Sequence, residues 1–195
     1  MPRTATSEMK PSPKLIAAPE LITDQWFNST APVTLAGLRG RPVLLHTFQM
    51  LCPGCTAHAI PQAQRIAEIL RQTDLAVIGL HTVFEHHAAM TPVSLEAFLH
   101  EYRFKYPVGV DRPGDPGPLP QTMATYGFRG TPSTVLIDRN GFIRHHGFGQ
   151  EDDVALGVRL GLLLAEDARV VQTPREATGT TGCDESICSP AVGNS

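Results

Sequence analysis

"FQMLCPGCTAHAIPQ", residues 48–62, sets Cys52 and Cys55 in a Cys-x-x-Cys spacing between an apolar run and a helix-like pattern. Sulfurs spaced this way either hold a metal or pass electrons. The preceding run, "PVLLHTF" (42–48), is apolar and partly β-branched, as a buried strand is. From Pro53 to about Thr73 the pattern is helical, with Ile60, Ala63, Ile66, Ala67, Ile69 and Leu70 at helical spacing. Cys52 therefore falls at the helix N-cap and Pro53 at the first helical position, where its missing N–H costs nothing. There the Cys52 sulfur faces free backbone N–H groups and the positive end of the helix dipole, both of which favour thiolate over thiol. Cys55 lies about one turn deeper, more buried and less ionised. This asymmetry suits a nucleophile, Cys52, and a resolving thiol, Cys55, with Pro53 and Gly54 forming the turn between them.

Outward from this stretch the elements alternate. "LAVIGLHTV" (75–83) reads as a second buried strand, and "PVSLEAFLHEY" (92–102) as a helix with Ser94 as N-cap. "YPVGVD" (106–111) is a short strand, "RPGDPGPLP" (112–120) a loop, and "QTMATYGF" (121–128) a short helix stopped at Gly127. "STVLIDRNGFIRHHGFG" (133–149) is a β-hairpin turning at Asn140-Gly141. "EDDVALGVRLGLLLAED" (151–167) is a last amphipathic helix with acids in its first turn. "LAGLRGR" (35–41) is a turn of helix ended by glycine, and Trp26 in "QWFN" (25–28) is a core anchor. Strands alternating with helices imply an α/β fold: a mixed central sheet, parallel in part, with helices on both faces.

The 195 residues suit one domain of ordinary size plus tails, and 42% hydrophobic with 18% charged residues describes a globular core. Residues 1–20 read as a flexible arm, 21–168 as the domain, and 169–195 as a Gly/Thr/Ser-rich flexible tail. A net charge of -3 gives no electrostatic case for nucleic acid or anionic lipid, and no stretch reaches the length of a membrane span. The N-terminal stretch lacks a continuous apolar signal region, so the expected location is the cytosol. Four cysteines in a reducing compartment point to redox work or metal binding.

"FRGTPSTVLID" (128–138) places a Thr-Pro step at the head of a strand well downstream of the cysteines. With "W…VTLAGLRGRPVLLHTF…CPGC" and "GTPSTVLIDRNGFI", the stretch from about Trp26 to Ala165 resembles the thioredoxin superfamily. It is most similar there to the TlpA-type thiol–disulfide oxidoreductases and their peroxiredoxin-like (AhpC/TSA-related) relatives. The resemblance implies a three-layer α/β/α sandwich and a thiol–disulfide oxidoreductase that needs no cofactor. It implies that Thr131-Pro132 is a cis peptide packed on the CPGC turn, shielding the sulfurs from metal and offering the Thr131 backbone to substrate. The expected direction is reduction of protein or small-molecule disulfides; the expected partners are a disulfide-containing protein or small thiol substrate and a separate electron donor.

Three positions depart from the family pattern. His46 stands six residues before Cys52, where the family carries Asp or Asn. It either exchanges a proton with the deeper sulfur or is a buried neutral histidine. "TFQM" (47–50) replaces aromatic residues, and Pro61 lies one residue further from Cys55 than usual, marking a shifted kink. Two other readings remain open. A thiol peroxidase would want Thr three residues before Cys52, where this chain has Gln49. A copper- or zinc-binding chaperone would use Cys52, Cys55 and a histidine such as His58. Neither His86-His87 nor His145-His146 is expected to bind metal, because neighbours on a strand point to opposite faces. In the tail, Cys183 and Cys188 are either incidental or a tethered redox pair.

Overall fold

Val43–Phe48 is buried along its whole length because it has a strand on each edge and helices or loops on each face. The computed structural model describes residues 15–166. In chain order the elements are β1 (Ile16–Ala17), β2 (Thr23–Phe27), β3 (Val43–Phe48), α1 (Ile60–Ile69), β4 (Ala76–His81), α2 (Pro92–Glu101), β5 (Val108–Asp111), α3 (Gln121–Tyr126), β6 (Ser133–Ile137), β7 (Phe142–Phe148) and α4 (Asp153–Ala165). The seven strands form one sheet in the order β1-β7-β6-β3-β4-β5-β2. β3, β4 and β5 are parallel, while β6, β7, β1 and β2 each pair antiparallel with their neighbours.

Alternation along β3 divides the core. Leu44 and Phe48 face a cluster completed by Ile60 and Ala63 of α1, Leu95 and Leu99 of α2, and Leu156, Leu160 and Leu163 of α4. Val43 and Leu45 face the opposite cluster, with Ile78, Leu80, Val135, and Met123 and Tyr126 of α3. This is a three-layer α/β/α sandwich with a mixed sheet. Each fully buried Leu or Phe contributes about 1.5–3 kcal/mol relative to exposure. Trp26 is half-buried against the second cluster, where its ring packs over Gly109.

Several local expectations change. Part of the stretch expected to be a flexible arm joins the sheet: Ile16 and Ala17 pair with Ile143 and Phe142. The Glu20 carboxylate accepts the N–H groups of Leu35 (2.7 Å) and Ala36 (3.2 Å), tying the segment to the 35–41 loop. That loop is a run of tight turns rather than helix, with Gly40 at φ 88°. β2, at the sheet edge, has a register irregularity between Thr23 and Gln25, and its Asp24 pairs with Arg112. The N-cap of α2 is Thr91, not Ser94; the Thr91 hydroxyl accepts the Ser94 N–H at 3.3 Å, and Pro92 opens the helix. α3 ends as expected, with Gly127 left-handed at φ 65°. The tail carrying Cys183 and Cys188 lies outside the described residues.

Asp111, buried at the end of β5, ties the sheet to α3. Its carboxylate accepts the Thr82 hydroxyl at 2.8 Å and the N–H groups of Thr122 at 2.8 Å and Met123 at 3.0 Å. Replacing Asp111 with Ala orphans all three donors, so stability in urea should fall by about 2–3 kcal/mol. Thr82→Val, which removes one donor and keeps the carboxylate capped, should cost about 1 kcal/mol. Equal losses in the two variants would show that the cap on α3 is not what the carboxylate provides.

Candidate active site

β3 ends at Phe48, and the chain turns through Gln49–Leu51 into a helix that begins at Pro53. Cys52 caps that helix: its carbonyl accepts the N–H groups of Cys55 at 3.0 Å and Thr56 at 3.1 Å. Its sulfur accepts the same Cys55 N–H at 3.3 Å, so Sγ stands in for a capping oxygen. The first turns are irregular. Pro61 has no N–H to give the Ala57 carbonyl, and a π turn, Cys55–Ala59, precedes α1, with the Ile60 N–H reaching the Cys55 carbonyl.

Cys52 is half-buried, and Cys55 has no exposed surface. Burial, followed by the hydrogen bond with Cys52, pushes the Cys55 thiol up from 9.0 to about 12; bonds from the Gln49 backbone and the Thr131 side chain oppose the shift. The loop before β6 closes over the turn. Thr131-Pro132 is cis, and a Cβ built on Gly54 would lie 3.6 Å from Pro132 Cδ, so the proline ring sits against the CPGC backbone. The Cys52 thiol donates to the Thr131 carbonyl at 3.5 Å. Cys52, Pro53, Gly54, Cys55, Thr131 and Pro132 thus form one constellation. Exposed apolar side chains border it, with Leu51 directly before Cys52 and Phe148 against Gly130.

His46 lies deeper in β3, on the face that also holds Phe48 and Cys55. Its Nε2 is 2.9 Å from the Tyr106 hydroxyl, while its Nδ1 has no partner. Desolvation lowers its pKa from 6.5 to about 3. The same cause lowers His81, the last residue of β4, to about 4 and raises Tyr106. The imidazole is neutral and the phenol protonated in the physiological range. Sequence reasoning missed Tyr106 as the partner of His46, since the contact joins residues 60 positions apart. It also missed Gln49 as a structural member of the site. Its side chain is 1% exposed, with Nε2 donating to the Thr131 hydroxyl at 3.4 Å and Oε1 unpartnered. A lone amide in an otherwise apolar approach to the cysteines was the signal.

Among the described residues, no three His, Cys, Asp or Glu side chains gather in a way that could hold a metal ion, and His58 is exposed on the helix. His145 bonds Glu151 at 2.7 Å, while His146 lies edge-on to Phe128, so that pair points to opposite faces. A cavity of about 1060 Å³ lies at the start of β4, away from the cysteines; Arg41, Arg65, Leu75 and Lys105 are among its walls.

Known proteins share this architecture over nearly the whole described region. A crystal structure of the thioredoxin-like superfamily protein SPOA0173 is 56% identical, covers 79% of this chain and 99% of its own, and superposes with a TM-score of 0.77. A thiol-disulfide isomerase from Corynebacterium glutamicum is 47% identical, covers 76% of this chain and 97% of its own, and has a TM-score of 0.72. Protein DipZ of Mycobacterium tuberculosis is 28% identical over 158 residues, which is 80% of this chain but 22% of that protein. The chain therefore spans about a fifth of the length of the curated relatives it matches, counting the identical match in Mycobacterium bovis. The sequence profile of the AhpC/TSA family matches residues 17–146, from β1 into β7, and the chain belongs to that family.

Proposed function

We propose that Cys52 and Cys55 are a redox dithiol through which this thioredoxin-like oxidoreductase reduces protein or small-molecule disulfides. The observation that carries the reading is the pairing of a half-buried N-cap sulfur with a sealed one directly behind it, under Pro132. Cys52 Sγ attacks one sulfur of a substrate disulfide, forming a mixed disulfide and releasing the other sulfur as a thiol. Cys55 Sγ then attacks Cys52 Sγ. The Cys52–substrate bond breaks, its electron pair leaves with the substrate sulfur, and the proton lost by Cys55 ends on that sulfur. The enzyme finishes as a Cys52–Cys55 disulfide, and a dithiol donor must restore it.

Burial of Cys55 supports the reducing direction. A dithiol becomes a strong oxidant when the reduced form is stabilised as thiolate. The apolar surroundings of Cys55 withhold that stabilisation, whereas an uncharged disulfide is not penalised there. A cytosolic location fits this direction, since a reducing compartment keeps such a dithiol supplied with electrons. Proton exchange through His46 fits poorly. Moving a proton from a thiol near 12 to an imidazole near 3 is uphill by on the order of 10 kcal/mol. Membership of the AhpC/TSA family favours a second reading, thiol peroxidase. In it Cys52 takes an oxygen from a hydroperoxide to become a sulfenic acid, and Cys55 displaces water to close the same disulfide.

Insulin reduction with dithiothreitol as donor should be abolished in Cys52→Ser. Cys55→Ser should accumulate a mixed disulfide on residue 52, visible by mass spectrometry. Hydrogen peroxide assayed in parallel separates the two readings by which substrate turns over. Activity retained in Cys52→Ser would end both.

His46→Asn should leave both exchange steps within about twofold across neutral pH, because the imidazole is neutral throughout that range. Its signature belongs to stability. The unfolded chain binds a proton near 6.5 and the folded one near 3, so stability should fall as pH drops through that interval. Chemical denaturation between pH 7 and pH 4 should show a shallower fall in the variant.

A further inference from the structure

β5 covers only the second half of β4. The Gly79 N–H reaches the Pro107 carbonyl at 3.0 Å, and pairing continues through Leu80 and His81. Along β4 the main chain alternates sides. The N–H groups of Ala76 and Thr82 go to the β3 side, to the carbonyls of Pro42 (2.9 Å) and Phe48 (3.2 Å), so the odd-numbered residues face the other way. Val77 therefore turns its N–H and C=O toward the line β5 would follow if it began earlier. Pro107 has no N–H to give the Val77 carbonyl, and before it the chain bends away, with Arg103 left-handed at φ 55°. Among the described residues neither main-chain group of Val77 has a partner. An unpaired length of strand is a template for pairing with another segment.

The cavity of about 1060 Å³ is this gap, with Val77 and Pro107 among its walls. Leu75, Ala76 and Val77 are each 8% exposed, against 1% for Ile78 and 0% for Leu80, so the gap reaches solvent. Its two faces differ. On one, Val33 and Leu38 pack with the cluster that holds Ala76 and Ile78 and form an apolar wall. On the other, α1 presents Gln64, Arg65 and Glu68, and Gln64 Nε2 donates to the Tyr102 carbonyl at 2.6 Å, which holds the 102–105 segment to that side. Arg65 is paired with Asp153, and Glu68 with Arg71. Arg103 and Lys105, both exposed walls of the cavity, have no side-chain partner among the described residues.

We infer that this gap is a docking site for an extended acidic segment of a partner protein, which adds a short strand to the open edge of β4. Strand side chains alternate, so the segment sets apolar residues against Val33 and Leu38 and Asp or Glu toward Arg103 and Lys105. Walls on both faces admit a single strand and not a second sheet. The site stands away from Cys52 and Cys55, and binding there is independent of their chemistry.

The test uses the full chain and a fluorescein-labelled peptide, Asp-Val-Glu-Val-Asp, followed by anisotropy. Binding should saturate and weaken as salt is raised. N-methylation of the central Glu and the Val after it removes the N–H that a strand in either direction gives the Val77 carbonyl, and should weaken binding about tenfold. A peptide with Lys in place of each acid should bind at least about tenfold more weakly, and so should the acidic peptide to Arg103→Glu/Lys105→Glu. That double variant should reduce insulin at the wild-type rate. Cys52→Ser should bind the peptide as wild type does, so a failure of the dithiol reading leaves this one standing. Amide hydrogen exchange gives a second readout that needs no substitution. In the free chain the Val77 amide should exchange faster than those of Ala76 and Ile78, which are bonded to β3, and saturating peptide should slow it at least about tenfold. The inference is overturned if the acidic peptide does not bind, if the N-methylated or Lys peptide binds equally well, or if Val77 in the free chain is already as protected as Ile78. In that last case, protection lost on dilution assigns the gap to a second copy, and protection independent of concentration to another segment of this chain.

Discussion

Ser133 lies opposite Thr47 across β3 and β6, and its N–H donates to the Thr47 hydroxyl at 3.1 Å. That register sets where everything else at the site can be. β6 runs antiparallel to β3, so the loop entering β6 must pass over the end of β3, where the chain turns into the CPGC helix. A slip of one residue would reverse which face each β6 side chain occupies and carry Pro132 off the turn. Ser133 Oγ also donates to the Gly130 carbonyl at 2.8 Å, holding the loop in shape. On the other edge of β3, the Thr82 N–H reaches the Phe48 carbonyl at 3.2 Å. The strand is clamped on both sides at the end where its cysteines emerge.

The clamp surrounds a site that is costly to maintain. His46 Nδ1, Gln49 Oε1 and His81 Nε2 are buried near it without partners. Close ring packing offsets part of that cost: Phe48 stacks on His46 and Phe98 and touches Phe104, and Phe98 stacks on Tyr102. The same apolar packing excludes water from Cys55, which makes its thiolate hard to form and gives each nearby donor more leverage. Stability and reactivity here draw on one feature, the dryness of the space between β3 and α1.

The sequence carried what is encoded locally. Cys52 and Pro53 announced a capped helix start, Asn140-Gly141 the hairpin and Gly127 a helix stop, because each residue is used within a few positions of its neighbours. The alternation of strands and helices was enough for the sandwich. What escaped depends on partners remote in the chain. Nothing about Ile16 or Thr23–Phe27 names β7 and β5 as their neighbours, and Glu20 gives no hint of the N–H groups at Leu35 and Ala36. Thr91 was passed over for Ser94 although Thr-Pro is a sound helix opening, a local signal misread. His46 was seen as polar and well placed, but its neutrality follows from burial against Tyr106 and Phe48, which only the folded chain supplies.

The margins of the sheet decide how this molecule meets copies of itself. At one margin, among the described residues, β1 covers β7 at Phe142 and Ile143, and beyond them β7 carries Arg144, His145 and His146. At the other, β2 is irregular between Thr23 and Gln25, and its Asp24 is engaged by Arg112. A flat, apolar, regularly hydrogen-bonding edge is a template for a further strand, whereas a short, charged or distorted one is not. Both borders of this sheet are of the second kind. The protein is thereby guarded against strand-to-strand aggregation even though four of its interior strands are rich in β-branched and aliphatic residues.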